Sequence, residues 1–480
     1  MVIIAVTSQM SNMGYFTGSN GATHLDAVRF AKYARVAFKL ICVDKEMFYA
    51  YINGVFVYIP IQCLKSKLYR VIDSVYNVWN LYIEDMYMKA LERECHYTGE
   101  LNPKKYLINL ENCMFHTIKF KVGTHQAKYF STVQLPIEYD ESAKCDTFIK
   151  FLHDIFLNDE ELINLVQEIV GYCLTTDVKA QSFFIFFGSG ANGKSVLCNI
   201  IKKLIGKGNY SALSIADLAN SFSRADLKDK LLNISAENES VNNRPFNSQY
   251  VKSISGGDEI KAEFKGKDVF TFQPFCKLIF AVNSLPNFND KTDGFIRRIK
   301  IIPFNATFSI DDGTADVNIE AKLTKELSGI FNWAIEGLKR LRDNDYRFSK
   351  CVAAERAFSD YYETINPYIL FWEECIDYNP QSDTVVSKND VYRAFINWCK
   401  SNNHINLSRA TPKKFWYDFN ALIKQQKLTP LKPKKSNGKR YVIGITLKNY
   451  APRCGIYHET STPDVEEELD CGDIDYLLEL

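Results

Sequence analysis

Residues 183–195 read FFIFFGSGANGKS, an apolar run that breaks into a glycine-rich turn ending in Gly193, Lys194 and Ser195. The spacing G-x-x-x-x-G-K-S, running from Gly188 through Ser189, Gly190, Ala191 and Asn192 to Ser195, is that of a P-loop, in which each residue type has its own task. Gly188, Gly190 and Gly193 let the backbone take positive φ and approach a phosphate closely. The amides that open the following helical run, VLCNIIKKLIG, turn unpaired N–H groups and a positive dipole end toward the anion. Lys194 supplies positive charge to the β and γ phosphates, and the Ser195 hydroxyl a ligand to Mg²⁺. The expected ligand is a nucleoside triphosphate, and an apolar strand before the loop with a helix after it argues against a chance glycine turn.

Hydrolysis also needs a carboxylate that holds Mg²⁺ or polarises the attacking water. The run KLLNISAENES ends on Glu237, Asn238 and Glu239; Glu237 is the first candidate, for base and metal alike, with Glu239 in reserve, although an acidic strand end also occurs on ordinary surfaces. A further run, FCKLIFAVN, ends in Asn283, either a turn residue ahead of Pro286 or a group that orients the lytic water or touches the γ phosphate. In DKTDGFIRRIKIIPF, Arg297 and Arg298 precede another apolar strand. They are either a solvated edge or, in a ring ATPase, a finger (Arg297, supported by Arg298) that reaches a neighbour's nucleotide. Between the acidic and asparagine strands, Lys261, Lys265 and Lys267 recur along a hairpin-like segment with Phe264 among them. Such lysines either blunt an exposed edge or grip the phosphates of a strand without regard to its sequence.

These groups need an α/β scaffold, and residues 176–345 alternate apolar strands with helical runs as such a core requires. A helical collar segment over 141–175 leads into it. Residues 26–140 read as an N-terminal α+β domain, with Asn53-Gly54 as a hairpin turn and a helical pattern over LYRVIDSVYNVWNLYIEDMYMKALERE. The polar stretch 1–25 reads as a loose lead-in. Helical runs and a strand pair over 346–450 suggest a winged-helix-like domain, in which Lys434, Lys435, Lys439 and Arg440 flank the Asn437-Gly438 turn. That basic wing either contacts duplex DNA or is a solvated tip. Residues 451–480 form an acidic tail expected to be disordered.

The 480 residues, 46% hydrophobic and 24% charged, suffice for several cores, and a net charge of +1 argues against a uniformly basic nucleic-acid binder. The tail carries acids without a lysine or arginine after Cys454, so it masks a basic body. Thirteen cysteines without a C-x-x-C pair point to a reducing compartment, and neither Cys95-His96 nor Cys113 with His116 has a usual zinc spacing. The apolar opening lacks the basic flank of a signal peptide, and no apolar stretch reaches membrane-spanning length. A cytoplasmic protein without membrane contact is expected.

In their order along the chain, GSGANGKS, NISAENE, SISGGDEIKAEFKGK, FAVNSLPNF and GFIRRIKIIPF resemble a superfamily III helicase of the AAA+ class. Within that class they resemble the phage/plasmid primase-helicase family, which includes the poxvirus and giant-virus NTPase-primases. FSTVQLPIEYDESAKCDTFIKFLHDIF resembles the segment ahead of the helicase core in that family. The resemblance implies a hexameric ring of identical subunits that hydrolyses ATP with Mg²⁺ at subunit interfaces. It also implies hairpin lysines that walk along single-stranded or forked DNA, 3′ to 5′, to replicate a phage, virus or mobile element. Two departures limit it: nothing ahead of the helical region has room for a polymerase fold, so primase activity is expected to be absent from this chain or supplied by a separate protein, and the acid motif reads Glu-Asn-Glu, which leaves the division of its work between Glu237 and Glu239 open. An initiator that remodels origin DNA without processive unwinding is the alternative.

Overall fold

The computed structural model describes residues 12–448 apart from 44–46, 76–77, 238–247, 267, 287, 289, 291, 403, 405–406, 426–427 and 437. The chain divides into two compact units, Met1–Tyr362 and Glu363–Leu480. It is a multidomain α/β protein with a parallel sheet at the centre of the first unit and further domains flanking that sheet in the chain.

The expected loose lead-in carries an antiparallel hairpin, Tyr15–Thr17 with Thr23–Leu25, because Met13, Tyr15 and Leu25 are apolar enough to join a core. The Tyr15 hydroxyl donates to the Ile72 carbonyl at 3.0 Å and ties the hairpin down. Helix Ala27–Ala37 follows, its first turn capped by the Asp26 carboxylate, which accepts from the amides of Val28 and Arg29. Next come three antiparallel strands, Leu40–Cys42, Phe48–Ile52 and Val55–Ile59. Asn53 and Gly54 both take positive φ, +48° and +91°, as a tight hairpin turn requires. The single helical pattern expected after it is two helices, Ile61–Asp73 and Leu81–Glu94, the second started by Asn80, whose side chain accepts from the Ile83 amide.

The central sheet holds five parallel strands in the order Tyr210–Ser211, Leu232–Glu237, Lys277–Val282, Phe183–Phe187, Ile299–Pro303. The P-loop strand Phe183–Phe187 is covered on both faces, so every residue from Phe183 to Phe186 is fully buried, which explains its unbroken apolar run. Each such phenylalanine contributes about 1.5–3 kcal/mol by leaving water. One continuous core joins this sheet to the collar helices Asp146–Ile155 and Glu160–Cys173, and to helix Leu327–Asp343. Residues expected to belong to the N-terminal domain, Ile108, Phe115 and Leu135, pack into this same core.

Glycine lets two of those helices touch backbone to backbone. A Cβ on Gly171 would sit 2.2 Å from the Ala334 carbonyl oxygen, and one on Gly337 2.3 Å from that of Gln167. Beside this contact the buried Glu168 carboxylate accepts from Arg340 Nε at 2.7 Å and from the Ser349 amide at 2.8 Å. Gly171→Ala is therefore expected to destabilise the first unit by about 1–3 kcal/mol, the usual range for overpacking. A lowered midpoint in denaturant unfolding at unchanged slope checks this.

The second unit pairs helices Lys388–Ser401 and Pro412–Gln425 with a sheet in the order Val385–Ser387, Lys439–Ile443, Lys432–Ser436. Phe371, Phe395, Trp398 and Phe415 fill its interior. Among the described residues no helix is long and apolar enough to cross a membrane. The acidic tail, 451–480, and the turn residue Asn437 lie outside the described residues.

Candidate active site

Strand register builds the site. Glu237 lies opposite Val282, Val282 opposite Phe187, and Phe187 opposite Pro303, so four strands end in one row. The P-loop leaves that row from its P-loop strand, and the crevice past the carboxyl ends of parallel strands is where such sheets bind ligands. Glu237 is thus two strands from Phe187, about 10 Å at the usual strand spacing. It is placed here by its backbone alone, and Glu239 lies outside the described residues.

Within the loop, Gly190 and Gly193 take φ of +110° and +79°, and Ala191 joins them at +47°. Gly188 does not: its φ is ordinary, and it is small because a Cβ would meet the Phe304 carbonyl oxygen at 2.6 Å. The positive φ expected there is replaced by close packing. Asn192 is buried and braces the turn, donating to the Phe304 carbonyl at 3.3 Å and accepting from the Lys194 amide at 3.4 Å. Ser189 and Ser195 are exposed, the second in the first turn of helix Lys194–Ile205. The segment after the arginine strand closes the far side, where the Phe308 amide donates to the Ala191 carbonyl at 2.7 Å.

Lys194 is buried, and its ammonium meets three acceptors: the carbonyls of Gly188 at 2.9 Å and Val282 at 2.6 Å, and Oδ1 of Asn283 at 2.8 Å. One ammonium has three protons to give, so this set is complete. Burial lowers its pKa from the ordinary lysine value. Asn283, exposed one residue past its strand, is thereby brought to the P-loop lysine.

Arg297 and Arg298 lie elsewhere. They precede Ile299, which pairs with Phe183 at the opposite end of the sheet from Phe187. The four steps from Phe183 to Phe187 span about 13 Å at strand rise, and the arginines sit beyond the far end. Arg298 is half-buried and donates to the carbonyls of Gly294 at 3.0 Å and Gln181 at 3.3 Å. Burial, then the charge of Arg297, lowers its pKa. Arg297 is exposed, with one long contact to Gln181 Oε1 at 3.5 Å.

The lysine segment is an antiparallel hairpin, Ile260–Glu263 with Val269–Phe272. Lys261 and Lys265 are exposed, Lys265 near the Gly266 turn, and Lys267 lies outside the described residues. Phe264 stacks on Phe270 with centroids 4.8 Å apart. Its base rests on Arg224, which the motifs did not reveal. Arg224 is buried, donates to the carbonyls of Lys261 and Leu218 at 2.9 Å each, and lies 3.9 Å over the Tyr250 ring. A second unforeseen link is Asp290, which accepts from Lys252 at 2.6 Å and from the hydroxyls of Ser248 and Thr292. Burial opposes its charge, but those hydrogen bonds win and hold its pKa well below the usual carboxylate range. No local pattern signals either residue, since Lys252 and Ser248 reach Asp290, and Lys261 reaches Arg224, from other segments. In the second unit, Lys434, Lys435, Lys439 and Arg440 are all exposed on paired strands, Lys435 opposite Arg440.

Three family models match successive parts of the chain: "D5 N terminal like" over 62–157, a family of unknown function (DUF5906) over 186–298, and "Poxvirus D5 protein-like" over 363–449. A "Putative helicase" of Acanthamoeba polyphaga mimivirus is 28% identical over 44% of this chain and 23% of its own length. Another of that name, from Invertebrate iridescent virus 6, is 24% identical over 66% of this chain and 36% of its own. This chain therefore spans well under two thirds of those relatives. An apo structure of the NrS-1 C terminal region shares the fold at a TM-score of 0.50 and 15% identity, covering 84% of this chain and 95% of that one. With D5-type models on both flanks of its P-loop sheet and viral relatives across it, the chain is similar to the D5-like primase-helicases of superfamily III, which are related to the poxvirus and giant-virus NTPase-primases.

Proposed function

We propose that this protein is an ATP-dependent DNA helicase of a viral or mobile-element replication system, working as a ring of copies on single-stranded DNA. The observation that carries this reading is the position of Arg297 and Arg298 at the opposite end of the sheet from the P-loop of the same chain. A P-loop takes its arginine either from its own chain or from a neighbour, and this placement favours the neighbour, which makes a second copy part of the site. Six copies, the AAA+ assignment of the sheet and the winged-helix assignment of the second unit belong to the same proposal.

The loop fits a triphosphate. Gly190 and Gly193 open the backbone, the amides of helix Lys194–Ile205 face the anion, and the Lys194 ammonium stands at the ends of two strands. Ser195 and Glu237 would hold Mg²⁺, which neutralises charge on the β and γ oxygens when bound. Lys194 exchanges carbonyl acceptors for phosphate oxygens, so its contact with Asn283 reports whether the γ phosphate is present. Asn283 orients the attacking water, and Glu237 or Glu239 takes its proton. Arg297 of the adjoining copy stabilises the charge that develops, while Arg298 fixes the turn that presents it. Lys261, Lys265 and Lys267 grip the strand by its phosphates.

Strand displacement on a forked duplex tests this reading. Lys265→Ala is expected to keep ATP binding and lose separation of the strands. An unaltered unwinding rate would remove the hairpin from translocation. Wild-type protein that melts origin duplex but never displaces a forked strand would favour an initiator instead.

A further inference from the structure

Beside the hairpin lies a cleft of about 550 Å³, within the size range of ligand sites. Three distant parts of the chain line it. Tyr49, Phe56 and Tyr58 come from the N-terminal antiparallel sheet; Lys207, Lys228 and Lys230 follow the P-loop helix; and Phe264 comes from the hairpin itself. Tyr49 and Phe56 are buried, whereas Tyr58 is 38% exposed and stands edge-on to Tyr49 at 5.8 Å between centroids. Two carboxylates also line the cleft. Asp229 is engaged in the wall, accepting from the Tyr49 hydroxyl at 2.6 Å and from Thr132 at 3.4 Å, while Asp226 is exposed. Lys228 reaches to 5.6 Å over the Phe270 ring, and Lys230 donates to the Gly208 carbonyl, which leaves Lys207 exposed at the site.

Aromatic faces beside ammonium groups are the combination that holds single strands, by stacking bases and pairing phosphates. Phe264 belongs both to the cleft and to the lysine hairpin, one residue before the exposed Lys265, so the cleft adjoins the hairpin position proposed to hold the strand. We infer that this cleft is a second single-strand contact that seats one nucleotide, its base against Tyr58 and Phe264 and its phosphate on Lys207. The inference rests on the single-strand reading proposed above and extends it to the N-terminal sheet, which then guides the strand rather than serving only as scaffold.

Fluorescence anisotropy of the full chain with a labelled oligothymidylate tests it. Tyr58→Ala is expected to weaken binding about 5- to 150-fold, the cost of one lost base stack, while Tyr58→Phe binds as wild type. Lys207→Ala, at an exposed position, is expected to lower the slope of log affinity against log salt by about 0.7. If Tyr58→Ala and Lys207→Ala both bind like wild type while Lys265→Ala is impaired, the cleft is overturned and the hairpin reading stands. If the wild-type chain itself does not bind the oligonucleotide, both fall together.

Discussion

Arg297→Ala is expected to slow ATP hydrolysis by about 10³- to 10⁵-fold in the assembled protein, with nucleotide binding little changed, because an arginine finger acts on transition-state charge rather than on the bound substrate. Arg297 has the exposure and the remoteness from its own P-loop that this role requires. Its side chain hydrogen-bonds among the described residues only to Gln181, at 3.5 Å, and the residue lies past the sheet end opposite the loop. Arg298 is different: its guanidinium is spent on the carbonyls of Gly294 and Gln181, so its replacement disturbs the turn. Mixing separates an inter-subunit role from a local one. Arg297→Ala and Lys194→Ala proteins, each inactive alone, should recover hydrolysis together, since intact P-loops of the first then face intact arginines of the second. No recovery, or full turnover by a lone protomer, would remove the inter-subunit mechanism.

Lys194→Ala is expected to lower turnover by about 10²- to 10³-fold or more, the range for removing one preorganised electrostatic donor. Three acceptors already converge on this ammonium, from Gly188, Val282 and Asn283, so the charge is held in position before nucleotide arrives. Lys194→Arg should not rescue it, because a planar fork cannot replace a compact point charge in that acceptor set. Burial lowers the pKa of Lys194, so the ammonium loses its proton at lower pH than an exposed lysine. The alkaline limb of the kcat/KM profile, which follows the free protein, should accordingly fall earlier than an exposed lysine would dictate. A profile flat through that region would show that this ammonium carries no essential charge.

What could be read along the chain is chemistry set by local spacing. A P-loop is a short contiguous segment, and its strand and helix follow from an apolar run and a 3.6-residue pattern. Asn53-Gly54 announced its hairpin for the same reason, since positive φ is a property of those two residues. The order of acid, asparagine and arginine strands was legible too, but not that Glu237, Val282, Phe187 and Pro303 end in one row. Register depends on hydrogen bonds between segments far apart in sequence.

The tertiary structure decided where single residues stand relative to distant backbone. Gly188 looked like a glycine of conformation and is one of packing, because Phe304 arrives from another strand. Lys277 opens a strand and would be taken for a solvated lysine, yet it is fully buried. Its ammonium donates to the carbonyls of Thr175 and Phe275 and lies 4.8 Å over the Tyr172 ring, and burial pulls its pKa down to about 8. One of those acceptors, Thr175, comes from a helix end a hundred residues away. The apparent polar lead-in became a hairpin because three of its side chains found a core. Residue types and their spacing determined which chemistry this chain is equipped for; the folding of remote segments onto one another decided which groups meet, because burial and hydrogen-bond partners are properties of contacts rather than of neighbours in sequence.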